Sequence, residues 1–147
     1  MTPQRSSPER GSAVVEFLML SMVLLIPLIY LVLMVARLQA GTFATSLAAR
    51  EGARAFVTSP TQAAAQGRAT AAADLVFADF GFDEDTELSV TCDGDPCIRP
   101  DALVTVRARV VVPLPLIPTF AREVIPLEVP ITTEHALRVD RFRAPPP

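Results

Sequence analysis

GSAVVEFLMLSMVLLIPLIYLVLMVAR, residues 11–37, sets the architecture of this chain. From Phe17 to Ala36 there are 20 consecutive residues without a charge. A helix of that length, at about 1.5 Å per residue, crosses a hydrocarbon core of roughly 30 Å. A secretory signal peptide would need a shorter apolar region and a small-x-small cleavage site soon after it. The run here is longer, and Arg37-Leu38-Gln39-Ala40-Gly41 offers only a poor site. An ordinary transmembrane anchor explains the length but not Glu16, which lies within the apolar stretch opening at Ser12. An acid in a membrane helix costs about 2.5 to 3.5 kcal/mol at the centre and less near an interface, so Glu16 calls for a cationic partner.

A cut after Gly11 would supply one. Ser12 would become the N-terminus, Glu16 the fifth residue, and in a bundle of such helices the α-amine of one subunit could neutralise the carboxylate of its neighbour. Gly11-Ser12-Ala13-Val14-Val15-Glu16-Phe17 resembles the prepilin peptidase site, in which Gly precedes the cut, four small or apolar residues follow, and Glu comes fifth. Leu47-Ala48-Ala49-Arg50-Glu51-Gly52-Ala53-Arg54-Ala55 is similar to the Ala-Arg-Glu-Gly-Ala-Arg string after the membrane helix of TadE-like pseudopilins of tight-adherence (Flp-type) pilus systems. The resemblance covers residues 9–57 closely and the remainder in outline. It implies a minor pseudopilin, processed between Gly11 and Ser12, paired to neighbouring pilins through Glu16, and needed to assemble an adhesive pilus. Its partners would be the prepilin peptidase, other pilins and pseudopilins, and membrane lipid. It also implies residence in the cytoplasmic membrane, with the leader cytoplasmic and the C-terminal domain extracytoplasmic.

The residues alone say less. A Glu at a membrane edge can snorkel, small residues permit close helix packing, and Arg50 and Arg54 are simply i, i+4 neighbours. The alternative from a different class is an uncleaved, single-pass membrane-anchored extracytoplasmic binding module. Arginine flanks do not orient the helix: Arg5 and Arg10 precede it, and Arg37, Arg50 and Arg54 follow, so the positive-inside count slightly opposes the pilin orientation.

The 147 residues leave 111 beyond Ala36, room for one small domain and not for a large multi-substrate enzyme. The net charge of −3 gives no broad basic surface for nucleic acid. All 13 basic residues are arginine. That removes the Walker and Schiff-base lysines and leaves the N-terminus as the one primary amine.

The domain plan follows from composition and periodicity. Residues 1–11 form a prepilin-like leader, disordered through residue 10 with Pro3 and Pro8; 12–36 form a transmembrane helix kinked at Pro27; 37–57 extend that helix, with Gly41 and Gly52 as weak points; 58–142 form a small α+β domain; and 143–147 form a disordered tail. Ser59-Pro60-Thr61-Gln62 has the order of a capping box with Ser59 as N-cap, so a second, Ala-rich helix begins at Pro60. Leu75, Val76, Phe77 and Phe80 supply its apolar face, so it packs by its C-terminal half, and Gly81 closes it. The period then changes to two. Leu88, Val90 and Cys92 face one way on a first strand, and Val104, Val106, Ala108 and Val110 on a second, which pair as a hairpin. Pro113, Pro115 and Pro118 make an extended connector. A third strand spans Leu127 to Leu137, with Pro126 and Pro130 confining its start to an edge. The fold class is α+β: an N-terminal transmembrane helix, a second helix, and a small antiparallel sheet of about three strands.

Cys92 and Cys97 bracket the turn sequence Asp93-Gly94-Asp95-Pro96. A disulfide is favoured over a redox pair, for which CxxC spacing is the commoner form, and over zinc, which needs about four ligands where His135 is the single histidine. The acids from Asp79 to Asp101 do not match an EF-hand spacing and read as a solvated loop more readily than as a Ca²⁺ site. His135 reads as a surface residue. No catalytic residue, cofactor or metal ligand set is expected.

Overall fold

The computed structural model describes residues 9–113 and 128–143. The first eight leader residues, the connector around Pro115 and Pro118, the strand entry at Pro126 and Leu127, and the tail from Ala144 lie outside them. The element order is α1 (Glu9–Val57), α2 (Gln62–Asp79), β1 (Thr86–Cys92), β2 (Leu103–Pro113) and β3 (Glu128–Arg138). This is the α+β fold with an N-terminal helix and a three-stranded antiparallel sheet, in the order β1-β2-β3. The chain divides into two compact units, Met1–Val35 and Ala36–Pro147.

The first unit is helical from Glu9, so residues 9–11 of the expected leader belong to the helix. Nearly all of its large apolar side chains are exposed, from Leu33 at 44% to Leu24 at 74%, with Met34 half-buried. A helix apolar on every side with none of its most apolar window buried is long and apolar enough to span a membrane.

In the second unit, both helices cover one face of the sheet. Along β2, Val104, Val106, Ala108, Val110 and Val112 are fully buried, while Arg107 and Arg109 between them are exposed. Against this face α1 contributes small residues: Ala44, Ala48, Ala49 and Ala53 have no exposed surface, and Phe56 and Val57 end the stripe. Residues 37–57, read from the sequence as a helix extension apart from the domain at 58–142, thus carry part of its core. At Gly41 the helix lies close against the sheet. A Cβ there would lie 2.6 Å from Val112 Cγ2 and 3.0 Å from Ile131 Cδ1.

Helix α2 departs from its expected start and its expected packing. Its N-cap is Thr61, in extended conformation (φ −135°, ψ 155°), whose Oγ1 accepts from the Ala64 N–H at 3.3 Å. Ser59 does not cap it. Its hydroxyl donates to the Ala55 carbonyl at 2.7 Å and its N–H to the Phe56 carbonyl at 3.1 Å, so this buried serine closes α1. Packing by the C-terminal half alone is also corrected. Ala65, Ala69 and Ala73 are buried one turn apart and continue into Val76 and Phe77, while Leu75 is 66% exposed. Alanine at i, i+4, i+8 gives a contact face along the whole helix because a methyl lets the backbones approach. Gly81 does end the helix, at φ +70°, a backbone conformation that side chains with a Cβ rarely adopt.

Candidate processing and assembly site

Gly11, Ser12 and Glu16 lie in the first four turns of α1. Ser12, Val15, Glu16 and Met19 line one shallow surface, the i, i+3, i+4, i+7 series of a single helix face. Ser12 and Glu16 therefore sit one turn apart on the same side. Glu16 is exposed among exposed apolar neighbours, with Val15 57% and Phe17 68% accessible. Among the described residues the ion pairs are Arg99–Asp93, Arg107–Glu134 and Arg109–Glu87, and Glu16 takes part in none.

The cysteine turn is built in the other unit. β1 ends at Cys92, and the Sγ atoms of Cys92 and Cys97 stand 2.05 Å apart, a disulfide distance, with Cα atoms separated by 5.4 Å. The loop between them is held from both sides. Asp93 N–H donates to the Leu103 carbonyl at 3.1 Å, and Arg99 Nη2 donates to Asp93 Oδ1 at 2.9 Å. Main-chain hydrogen bonding with Leu103 and the neighbouring guanidinium hold the Asp93 carboxyl below its usual range. Gln62, expected in the capping box, reaches across instead: its Oε1 accepts from the Ile98 N–H at 3.2 Å.

The acidic loop forms a third feature. Asp83, Glu84 and Asp85, with Glu128, surround a cavity of about 290 Å³ whose wall includes Arg37 and Phe82. Arg37 is committed there. It donates to the Gly81 carbonyl at 2.9 Å and to the Phe80 carbonyl at 3.5 Å, and its guanidinium lies 4.3 Å from the centre of the Phe82 ring. A cation at the C-terminal end of α2 suits the carbonyls left open there, so an arginine that reads in sequence as a membrane flank is structural. Among the described residues no three acids, cysteines or histidines come together as a metal site.

His135 is not a plain surface residue. It is half-buried on the helix-covered face of β3, opposite the fully buried Val106. Two polar contacts escaped the sequence altogether, because each joins residues more than 80 positions apart. Thr45 Oγ1 and Thr133 Oγ1 are 3.0 Å apart between α1 and β3, and Arg143 donates to the carbonyls of Val57, at 2.6 Å, and of Ser59 and Pro60, fastening the end of α1. Alternation could have placed Thr133 on the inner face; nothing local marks Arg143 as a clasp. Comparison with protein families, with curated proteins and with solved structures finds no match to this chain.

Proposed function

We propose that this chain is a TadE-like minor pseudopilin, a non-enzymatic structural component for assembling a Flp/Tad-type adhesive pilus, cleaved by a prepilin peptidase between Gly11 and Ser12. The observation that carries the reading is the constellation in the first unit: a helix apolar on every side, carrying one exposed acid one turn beyond Ser12, directly after Gly11. Lipid accounts for the exposed Leu, Ile, Val and Met side chains. It does not account for Glu16, whose carboxylate requires a cation in an apolar medium. The new α-amine of a neighbouring subunit is such a cation and exists only after the cut. In this reading the helix is anchored in the cytoplasmic membrane, the α+β domain stands on the extracytoplasmic side, and the cysteine pair belongs to an oxidising compartment. The partners are the peptidase, other pilins of the same system, and lipid, with no nucleic acid and no cofactor.

Glu16→Ala tests the pairing. Cleavage and protein level should stay near normal, because the change removes a polar group from an apolar run, while pilus assembly or partner binding fails. Normal pilus numbers and adhesion in that strain would remove the physical support for assembly through Glu16. The uncleaved anchored binding module predicts the full-length mass and no effect of Glu16 on any filament.

A further inference from the structure

The three-stranded sheet has two edges, and its hydrogen bonds tell which main-chain groups face outward. Val139 N–H donates to the Ala102 carbonyl at 2.9 Å, and its carbonyl accepts from Asp101 N–H at 3.2 Å, so Val139 turns its main chain toward β2. Peptide groups alternate sides along a strand. The odd-numbered residues of β3 therefore bond β2, while Glu128, Pro130, Thr132, Glu134, Ala136 and Arg138 direct theirs away. Val111 N–H donates to the Asp85 carbonyl at 3.1 Å, and the same alternation leaves Thr86, Leu88, Val90 and Cys92 facing outward on β1. Pro130 falls in the outward set, where its missing donor weakens nothing inside the sheet. Among the described residues no strand pairs with either edge. The side chains tell the same story: Leu88 and Val90 on β1 and Ile131 and Leu137 on β3 are only half-buried, where their neighbours on β2 are fully covered.

We propose that copies of this chain join edge to edge, β3 of one copy beside β1 of the next with the strands parallel, so that the sheet continues from copy to copy. The proposal rests on the membrane-anchored reading above, which gives all copies one orientation. Both β1 and β3 run antiparallel to β2, so they are parallel to each other, and a sideways shift of one copy brings the two edges together with the α1 segments aligned. Pairing two β3 edges about a twofold axis would instead run the two strands antiparallel and close as a dimer rather than extend as a row. Thr86, Val110 and Ile131 lie level across the sheet, so a shift without slip sets Glu87 level with Thr132, Ser89 with Glu134, and Thr91 with Ala136, all on the exposed face. A hydroxyl then meets a carboxylate twice and no like charges are level. On the inner face the half-buried Leu88 and Val90 meet the strip of Thr133 and His135. Parallel pairing also requires level residues to direct their main chains oppositely, and outward Thr132 beside inward Glu87 meets this. The contact is heterologous and does not close, so it extends into rows.

The test is cross-linking in membranes that hold two differently tagged full-length copies, one carrying Ala136→Cys and one Thr91→Cys. The native cysteines are paired, so a short bismaleimide sees only the introduced thiols. The expected product carries both tags and forms only when both variants are present. Adding Thr132→Pro, which deletes an outward donor and no bond within the sheet, should lower the yield about tenfold while the domain still melts cooperatively. Absence of the two-tag product, equal product from Ala136→Cys copies alone, or a yield untouched by Thr132→Pro overturns the proposal. N-terminal labelling of the same membranes scores cleavage separately, so cross-linked but uncleaved chains would retain the joined sheets and reject the pilin reading.

Discussion

Residues 14–35 and residues 41–57 of α1 are both rich in apolar side chains, yet they meet different surroundings. The first stretch carries Leu, Ile, Val, Met and Phe on every side and buries almost nothing within the protein; the second buries Ala44, Ala48, Ala49 and Ala53 completely against the sheet. The contrast is one of side-chain size. A helix that lies on a β-sheet at close approach needs small residues at the contact, whereas a helix whose partner is fluid lipid has no such limit and gains from large apolar area. Substitutions should therefore act oppositely in the two stretches.

The widest separation comes from truncating a large side chain in each unit. Phe77 is 1% exposed and packs among Ala44, Ala48 and Val110. Phe77→Ala should destabilise the domain by about 3 to 5 kcal/mol, a fall in melting temperature of more than about 10 °C. Leu24→Ala removes a similar side chain at 74% exposure and should leave the domain melt unchanged. Equal shifts would mean that residues 14–35 are part of a protein core. Calorimetry or circular dichroism on detergent-solubilised full chain measures both.

Enlarging a small residue sharpens the same contrast. Gly41→Ala places a Cβ against Val112 Cγ2 at 2.6 Å, and Val112 is fully buried and cannot swing away. Overpacking should cost about 1 to 3 kcal/mol, although alanine is the better helix former by about 1 kcal/mol. A net gain in melting temperature would show that the helix–sheet approach is looser than described. Replacing Cys92 and Cys97 together by serine should lower stability by about 2 kcal/mol, from the chain-entropy estimate for so short a loop, with the loss read in the domain melt and not in membrane association.

The smallest effect concerns acid. The Asp93 carboxyl is held below its usual range by its hydrogen bonding with Leu103 and by Arg99. A depressed folded-state value gives a contribution fully present above the ordinary carboxylate range and lost as pH falls through the folded value. Asp93→Asn should therefore narrow the difference between melts at neutral pH and near pH 3. An unchanged difference would exclude Asp93 as a source of acid sensitivity.

What the sequence disclosed and concealed follows the same division by size and distance. Strand alternation placed Val104, Val106, Ala108 and Val110 on one face correctly, because bulky residues at period two mark a half-covered strand, and Gly81 marked the end of α2. In α1 the small residues of the 47–55 string read as permitting close packing, but nothing in the sequence marks the alanine stripe of α2 as a packing face. Alanine is common on exposed helices too, so Ala65, Ala69 and Ala73 give no contrast with Ala63 and Ala71, and the larger Leu75, which reads as part of the apolar face, is exposed. Ser59 and Thr61 are both competent caps, and only tertiary placement, with Ser59 turned back to Ala55, separates them. The clasps from Arg37 to Gly81 and from Arg143 to Val57 join residues 44 and 86 positions apart, beyond any local pattern. In the first unit, the helix sets Ser12 and Glu16, four positions apart in sequence, on one face.

The central claim, that Gly11 marks a cut which creates the cation for Glu16, is tested most directly at the N-terminus. The sequence has no lysine, so an amine-reactive label on protein from native membranes can attach only to the α-amine. The account predicts a labelled peptide beginning at Ser12 and a mature chain of 136 residues, reverting to full length when the cognate prepilin peptidase is removed. A labelled peptide beginning at Met1 or Thr2 in cells that contain the active peptidase would contradict it.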